Sequence, residues 1–321
     1  MKRTTLLRNY ILDRGILVMP GAHDALSARI VEMTGFKAFT VGGYSASATL
    51  LGRPDVSLLC LTEMVDHIAR LADAVEIPML ADGDTGHGNV VNVMRTVKEM
   101  ERAGAAGLFI EDQLFPKRCG HMEGKQVIPP SEMVAKIKAA VDTRTDPDFV
   151  IMARTDSLAI YGLGDAVERG NLYREAGADI IFVEAPRNVD EMRAITRGVK
   201  APNLANNIEG GRTPLLSAKE LEEIGYSAVI FPVAATYAVS RAVKELMGEI
   251  YREGTSRGFF DRMTLFKEFN ELIGLPRIRE AERKYYSRDG PAAQQTPENP
   301  QGESLSGAGS PPYPHPDITQ N

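Results

Sequence analysis

Five consecutive residues, Lys117-Arg118-Cys119-Gly120-His121, set a cysteine among cationic side chains. Positive neighbours lower a thiol's pKa and favour the thiolate. A thiol that gives up and regains a proton near neutral pH can serve as a general acid or base. The surrounding stretch, Gln113 to Pro130, is long and carries Pro116, Gly120, Gly124 and Pro129. That composition suits a mobile lid rather than a helix or strand. Cys60, in Leu58-Leu59-Cys60-Leu61, has no cationic setting and reads as a core residue.

A second group is acidic. Asp82 and Asp84 stand two apart in Asp82-Gly83-Asp84-Thr85-Gly86-His87-Gly88, so in an extended segment both face one side. Glu111, in Glu111-Asp112-Gln113, follows the next apolar run. Three carboxylates gathered at one point repel unless a cation sits among them. Hard oxygen ligands suit Mg²⁺, which keeps several waters and takes one or two carboxylates directly. The competing reading is that these acids cap helices or pair with Arg154 and Lys117. Gly42-Gly43-Tyr44 is either a tight turn or a set of backbone N–H groups able to cradle a carboxylate. His87 sits behind the acids in the glycine-rich loop. His23, in Pro20-Gly21-Ala22-His23-Asp24, reads as ordering its own turn.

Groups so far apart in sequence need a scaffold to bring them together. Eight short apolar runs recur along the chain: Gly15–Met19, Ala38–Val41, Pro78–Ala81, Gly107–Ile110, Phe149–Ala153, Ile180–Val183, Asn203–Ala205 and Ala228–Phe231. Each suits a buried parallel strand. Helically spaced stretches lie between them, and three end on a glycine where a left-handed C-cap belongs, at Gly104, Gly177 and Gly225. Eight such units predict a (β/α)₈ TIM-type barrel, with a doubly wound open sheet as the alternative. In a barrel the catalytic groups collect at the C-terminal strand ends. Six consecutive runs here lead into polar residues: Gly42-Gly43-Tyr44, Asp82 and Asp84, Glu111, Arg154-Thr155-Asp156, Glu184, and Asn206-Asn207.

Bulk properties narrow the class. The chain has 321 residues, 43% hydrophobic and 25% charged, with a formal net charge of −6. A mildly acidic chain has no general electrostatic footprint for nucleic acid. No apolar run reaches membrane-spanning length, so no membrane partner is expected. Two cysteines are no disulfide framework, and no signal peptide is read at the N-terminus, which together predict a cytoplasmic protein. From Asp289 to Asn321 the sequence turns rich in Pro, Gly, Ser and Gln. That stretch cannot bury enough apolar surface to order itself, so a folded domain over 1–288 and a disordered tail over 289–321 are expected.

The run Glu111-Asp112-Gln113-Leu114-Phe115-Pro116-Lys117-Arg118-Cys119-Gly120-His121 resembles the isocitrate lyase/phosphoenolpyruvate mutase superfamily, over roughly residues 5–286. Pro20–Ala28, Leu51-Gly52-Arg53-Pro54-Asp55, Ala81–Gly86, Ala153–Asp156 and Val183-Glu184-Ala185-Pro186 add to it. The resemblance implies a barrel in a homotetramer, with C-terminal helices swapped between subunits. It implies Mg²⁺ (Mn²⁺ in its place) at Asp82 and Asp84, with Asp55 and Glu111 around them. Gly42, Gly43, Tyr44, Gly120, Arg154, Glu184 and Asn206 would bind a small carboxylate substrate. Cys119 would protonate an enolate product that Lys117, Arg118 and His121 stabilise.

Two departures bear on the substrate. After the His121 position the chain continues Met122-Glu123-Gly124-Lys125, where methylisocitrate lyases carry Arg-Pro-Asn-Lys. Tyr237 stands where those enzymes place a further arginine. Both missing arginines would suit a third carboxylate. The pattern is closer to 2,3-dimethylmalate lyase-like and petal-death-type carbon–carbon lyases. It implies cleavage of a 2-hydroxy dicarboxylate, with Tyr44, Tyr237 and Phe231 as candidate walls. Phosphonomutase, methylisocitrate lyase and oxaloacetate hydrolase or decarboxylase activities remain the alternatives.

Overall fold

The computed structural model describes residues 1–120 and 124–286. His121 and the 289–321 tail therefore lie outside the described residues. The chain divides into two compact units, Met1–Leu265 and Phe266–Asn321. The second contributes two described helices, Phe266–Leu272 and Leu275–Tyr285. Among the described residues no helix is long and apolar enough to cross a membrane.

The first unit is the eight-stranded barrel. Its strands are β1 (Leu17–Pro20), β2 (Phe39–Val41), β3 (Met79–Asp82), β4 (Gly107–Glu111), β5 (Val150–Thr155), β6 (Ile180–Val183), β7 (Asn203–Asn206) and β8 (Ala228–Phe231). All seven neighbouring pairs are parallel, running from β1 through β8 round to β2. A parallel bridge between Gly21 and Thr40 closes the ring, with the Ala22 N–H donating to the Thr40 carbonyl at 3.0 Å. The three glycines expected to end helices do so with positive φ: +94° at Gly104 and +109° at Gly177 and Gly225.

Side chains on a strand alternate between two faces, and here the alternation builds the site. The inward row forms one apolar cluster: Leu17 and Met19 from β1, Leu80 from β3, Phe109 from β4, Val150 and Met152 from β5, Ile180 and Phe182 from β6, Leu204 from β7, and Ala228 and Ile230 from β8. Leu7 and Ile11 of the helix Arg3–Leu12 join this cluster from outside the strands. The outward row packs against the surrounding helices. Burying each large inward side chain contributes about 1.5–3 kcal/mol. Two residues further along, the inward rows of β3 to β7 turn polar: Leu80 leads to Asp82, Phe109 to Glu111, Met152 to Arg154, Phe182 to Glu184 and Leu204 to Asn206. The polar layer thus rests on a dry, packed floor.

Candidate active site

Asp82, Asp84, Asp55 and Glu111 come together as expected, all buried, around the Lys117 ammonium. Lys117 Nζ lies 2.7 Å from Asp55 Oδ2 and 2.7 Å from Asp84 Oδ1. Asp82 accepts from the Gly43 N–H (2.7 Å) and the Asp84 N–H (2.8 Å). A side chain at Gly43 would crowd this approach. A Cβ there would stand 3.2 Å from Asp82 Oδ2 and 3.4 Å from Lys117 Nζ. The Gly43 amide, expected to face a substrate carboxylate, is thus engaged by the chain's own Asp82.

Burial is the main cause that raises the Asp82 pKa to about 6, with Asp84 and Asp55 adding and Lys117 opposing. Burial also pushes Glu111 well above the usual carboxylate range, despite Arg154 and Lys117. Among the described residues neither Glu111 carboxylate oxygen has a hydrogen-bond donor, and its ion pair with Arg154 Nη1 is long, at 3.3 Å. Burial opposes the Lys117 charge, but the surrounding carboxylates outweigh it and raise its pKa.

The pairings with Lys117 and Arg154 are therefore real, yet they leave four buried carboxylates sharing one lysine and one arm of an arginine. A divalent cation fits that deficit. Among the described residues no three His, Cys, Asp or Glu side chains form a ready-made cage. Mg²⁺ accepts such a site because it retains much of its water. His87 lies behind the acids with φ +58° and a buried Nε2 that has no partner among the described residues. Burial lowers its pKa, disfavouring the charged form.

Arg154 organises the opposite side. It grips Asp156 with two hydrogen bonds, Nε to Oδ2 at 2.9 Å and Nη2 to Oδ1 at 3.1 Å. It also meets Glu184 Oε2 at 3.3 Å and stacks over the Phe182 ring at 5.1 Å. Asn206 Nδ2 donates to Glu184 Oε2 at 3.2 Å. Against the effect of burial, Arg154 and Lys125 lower Asp156 to about 2.

The Lys117–Gly120 segment lies over both sides. Ser57 Oγ accepts the Lys117 N–H at 2.9 Å. The Gln113 amide binds the Arg118 backbone twice, Nε2 to O at 2.8 Å and Oε1 from N at 3.1 Å. Leu114 N–H donates to Gln126 O, and Gln113 bridges antiparallel to Val127, so the stretch read as a lid is tied at its base. Lys117, Arg118, Cys119 and Gly120 line one cavity with Gly42, Gly43, Tyr44, Asp55, Asp82, Arg154, Glu184 and Asn206. Asp84 and Glu111 stand just behind its wall. Tyr44 and Tyr237 meet edge to face with ring centroids 6.3 Å apart. Burial, the Tyr44 hydrogen bond and the nearby Cys119 and Glu209 push the Tyr237 pKa up.

Three findings were not legible in the sequence. Phe231 does not line the cavity; its apolar walls include Phe109, Phe182, Ile208, Ile230 and Val233. Phe231 is on the outward row of β8 and packs against the cluster around Val229 and Tyr226. Cys60 is exposed at the N-cap of the helix Leu61–Ala74 rather than filling core, while its neighbours Leu59 and Leu61 pack inward. Asp156 and Lys125 join the site although their spacing carries no motif of its own. For Asp156 the sequence offered its place among the polar strand ends, at i+2 from Arg154 on the same face.

A parallel barrel with an acid cluster facing a basic, cysteine-bearing segment defines a class, and the comparisons agree with it. Residues 7–251 match the family described as phosphoenolpyruvate phosphomutase, and the chain belongs to that family. It is a lyase of the phosphoenolpyruvate mutase/isocitrate lyase superfamily, as its relatives are named. The chain is 48% identical to 2,3-dimethylmalate lyase of Eubacterium barkeri over 285 residues, covering 89% of this chain and 99% of that one. It is 46% identical to the petal death protein of Dianthus caryophyllus, covering 88% and 89%. A phosphonopyruvate hydrolase solved in complex with oxalate and Mg²⁺ superposes with a TM-score of 0.81 at 32% identity, covering 89% and 99%.

Proposed function

We propose that the chain is a Mg²⁺-dependent carbon–carbon lyase that cleaves a 2-alkylmalate, such as 2,3-dimethylmalate, to pyruvate or a related 2-oxo acid and a monocarboxylate. The observation that carries the reading is that Cys119 lines the same cavity as Asp55 and Asp82 of the acid cluster. Asp82 and Asp84 would hold the ion, with Asp55 and Glu111 around them. When bound, Mg²⁺ (or Mn²⁺) supplies the positive charge that the acid cluster lacks and that a developing oxyanion needs.

The rest falls to the chain's own residues. The 2-hydroxyl proton is released to solvent, and that oxygen becomes a ketone as the C2–C3 bond breaks. The bonding electrons pass to C3 as a carboxylate enolate. Cys119 gives its proton to C3, which completes the monocarboxylate and leaves a thiolate. Arg118 is the nearby cation placed to stabilise the enolate; Lys117, committed to Asp55 and Asp84, acts from within the acid cluster instead. Arg154 and Asn206, held by Glu184 and Asp156, orient the substrate, and segment 117–120 keeps water from the enolate. Tyr237 at the cavity wall, rather than an arginine, supports a dicarboxylate over a tricarboxylate.

A coupled pyruvate assay with Mg²⁺ and a panel of 2-alkylmalates tests the reading; failure to turn over any of them sinks it. The same mixtures followed by phosphorus NMR on phosphonopyruvate would expose a phosphorus–carbon activity instead.

We further propose that the protein is a homotetramer. The 20-residue helix Ala234–Glu253 has no buried residue. It exposes Val239, Val243, Met247 and Ile250, an apolar stripe at helical spacing that a neighbouring subunit would cover. Light scattering that returned a monomer mass would overturn this.

A further inference from the structure

Lys125 lies outside the Lys117–His121 motif, yet it reaches into the site. Its Nζ stands 2.7 Å from Asp156 Oδ1 and donates to the Gly120 carbonyl. The side chain is only 3% exposed. A lysine held this way loses about 2 kcal/mol of rotamer freedom and much of its hydration. Its two charge-assisted contacts offset that cost.

The anchor it grips is rigid. Asp156 is fully buried, accepts both hydrogen bonds of Arg154, and donates its N–H to Asp112 Oδ1 at 2.9 Å. Asp112 is fixed in turn by Thr155, Arg169 and Tyr173. At the other end the fit is close. A Cβ on Gly120 would come within 2.3 Å of Arg154 Nη2 and 2.7 Å of Glu184 Cγ. Gly120 follows Cys119 directly, so its position sets where the thiol stands over the cavity.

We propose that Lys125 is a positioning residue: its ammonium ties the Gly120 carbonyl to Asp156, so one carboxylate both orients Arg154 and holds the Cys119 segment over the cavity. The consequence for turnover rests on the lyase reading above; the tie itself does not. Lys125 reaches no reacting atom and acts through Gly120 and Asp156.

The test is the rate at which iodoacetamide alkylates Cys119 in the full-length protein, read by peptide mass spectrometry against exposed Cys60 in the same molecule. In Lys125→Met the Cys119 rate should rise about tenfold relative to Cys60, the opening expected from losing one charge-assisted hydrogen bond. The sign is diagnostic. Removing a cation without moving the segment would raise the thiol's pKa and slow the reaction. Lys125→Arg, which keeps charge and donors, should return the rate most of the way to wild type. An unchanged or slower Cys119 rate in Lys125→Met overturns the proposal. Should Lys125→Met fail to fold, Lys125→Gln against Lys125→Arg carries the test: Gln alkylating faster than Arg supports the tie, and equal rates overturn it. If wild type cleaves no alkylmalate while these rates hold, the lyase reading falls and the tie stands.

Discussion

The two sides of the cavity are built on different electrostatic terms. On the β3–β4 side, Asp55, Asp82, Asp84 and Glu111 share Lys117, and burial lifts Asp82 to about 6. On the β5–β7 side, Asp156 and Glu184 pair with Arg154 and Lys125 while Asn206 donates to Glu184, and Asp156 is drawn down to about 2. The first side carries uncompensated negative charge and is suited to take up a cation. The second is already neutralised and hydrogen-bonded, which suits a fixed frame. One barrel mouth can therefore combine an adaptable half with a preorganised one, and the Cys119 segment is tied to both through Lys117 and Lys125.

The largest effect should come from the residue shared by the two halves. Cys119→Ala is expected to lower turnover by about 10²–10⁴, the usual worth of a placed general acid, with an unchanged melting temperature. Retained activity would show that the halves need no thiol between them.

Next are the two buried cations. Lys117→Met and Arg154→Met should each cost about 3–5 kcal/mol in stability, because carboxylates are left buried and unpaired. Mg²⁺ should recover much of the loss in Lys117→Met and little in Arg154→Met, since only the first side can accept an ion. Thermal melts with EDTA and with added Mg²⁺ distinguish them, and equal recovery would erase the contrast.

Smaller shifts should appear with pH, in opposite directions. Asp82 keeps its proton in the folded state up to about pH 6, against a reference of 3.8. Its contribution is full below 3.8 and is lost as pH rises through 6. In EDTA, Asp82→Asn should therefore gain a few degrees on wild type as pH rises from about 5 to about 7. Asp156, lowered to about 2, stabilises above 3.8 and loses that contribution as pH falls through 2. The deficit of Asp156→Asn should accordingly shrink below about pH 4. Parallel pH trends for the two variants would mean the halves do not differ. The smallest effect belongs to Cys60→Ser, expected to leave melting and turnover unchanged because the side chain is exposed.

Much of the adaptable half was legible in the sequence. Asp82 and Asp84 at strand spacing, and Glu111 after the next run, announce a shared mouth because strand periodicity is local. The frame was less so. Arg154, Glu184 and Asn206 stand at strand ends and are legible, but Lys125 and Asp156 are 31 residues apart and meet only in the tertiary structure. Phe231 was assigned inward when the register of β8 turns it outward. Cys60 was assigned to the core when its run leaves the strand pattern for a helix cap.

By itself the sequence determined the eight-strand barrel and which strand ends would be polar, since both follow from short-range alternation and capping. Only the tertiary structure decided where the charges are satisfied: that Lys117 belongs to the acids, that the Gly43 amide serves Asp82, and that Lys125 ties Gly120 to Asp156. Pairing depends on distances across the barrel mouth and on burial, which set a carboxylate at about 6 on one side and about 2 on the other, and neither quantity is written in the order of residues along a chain.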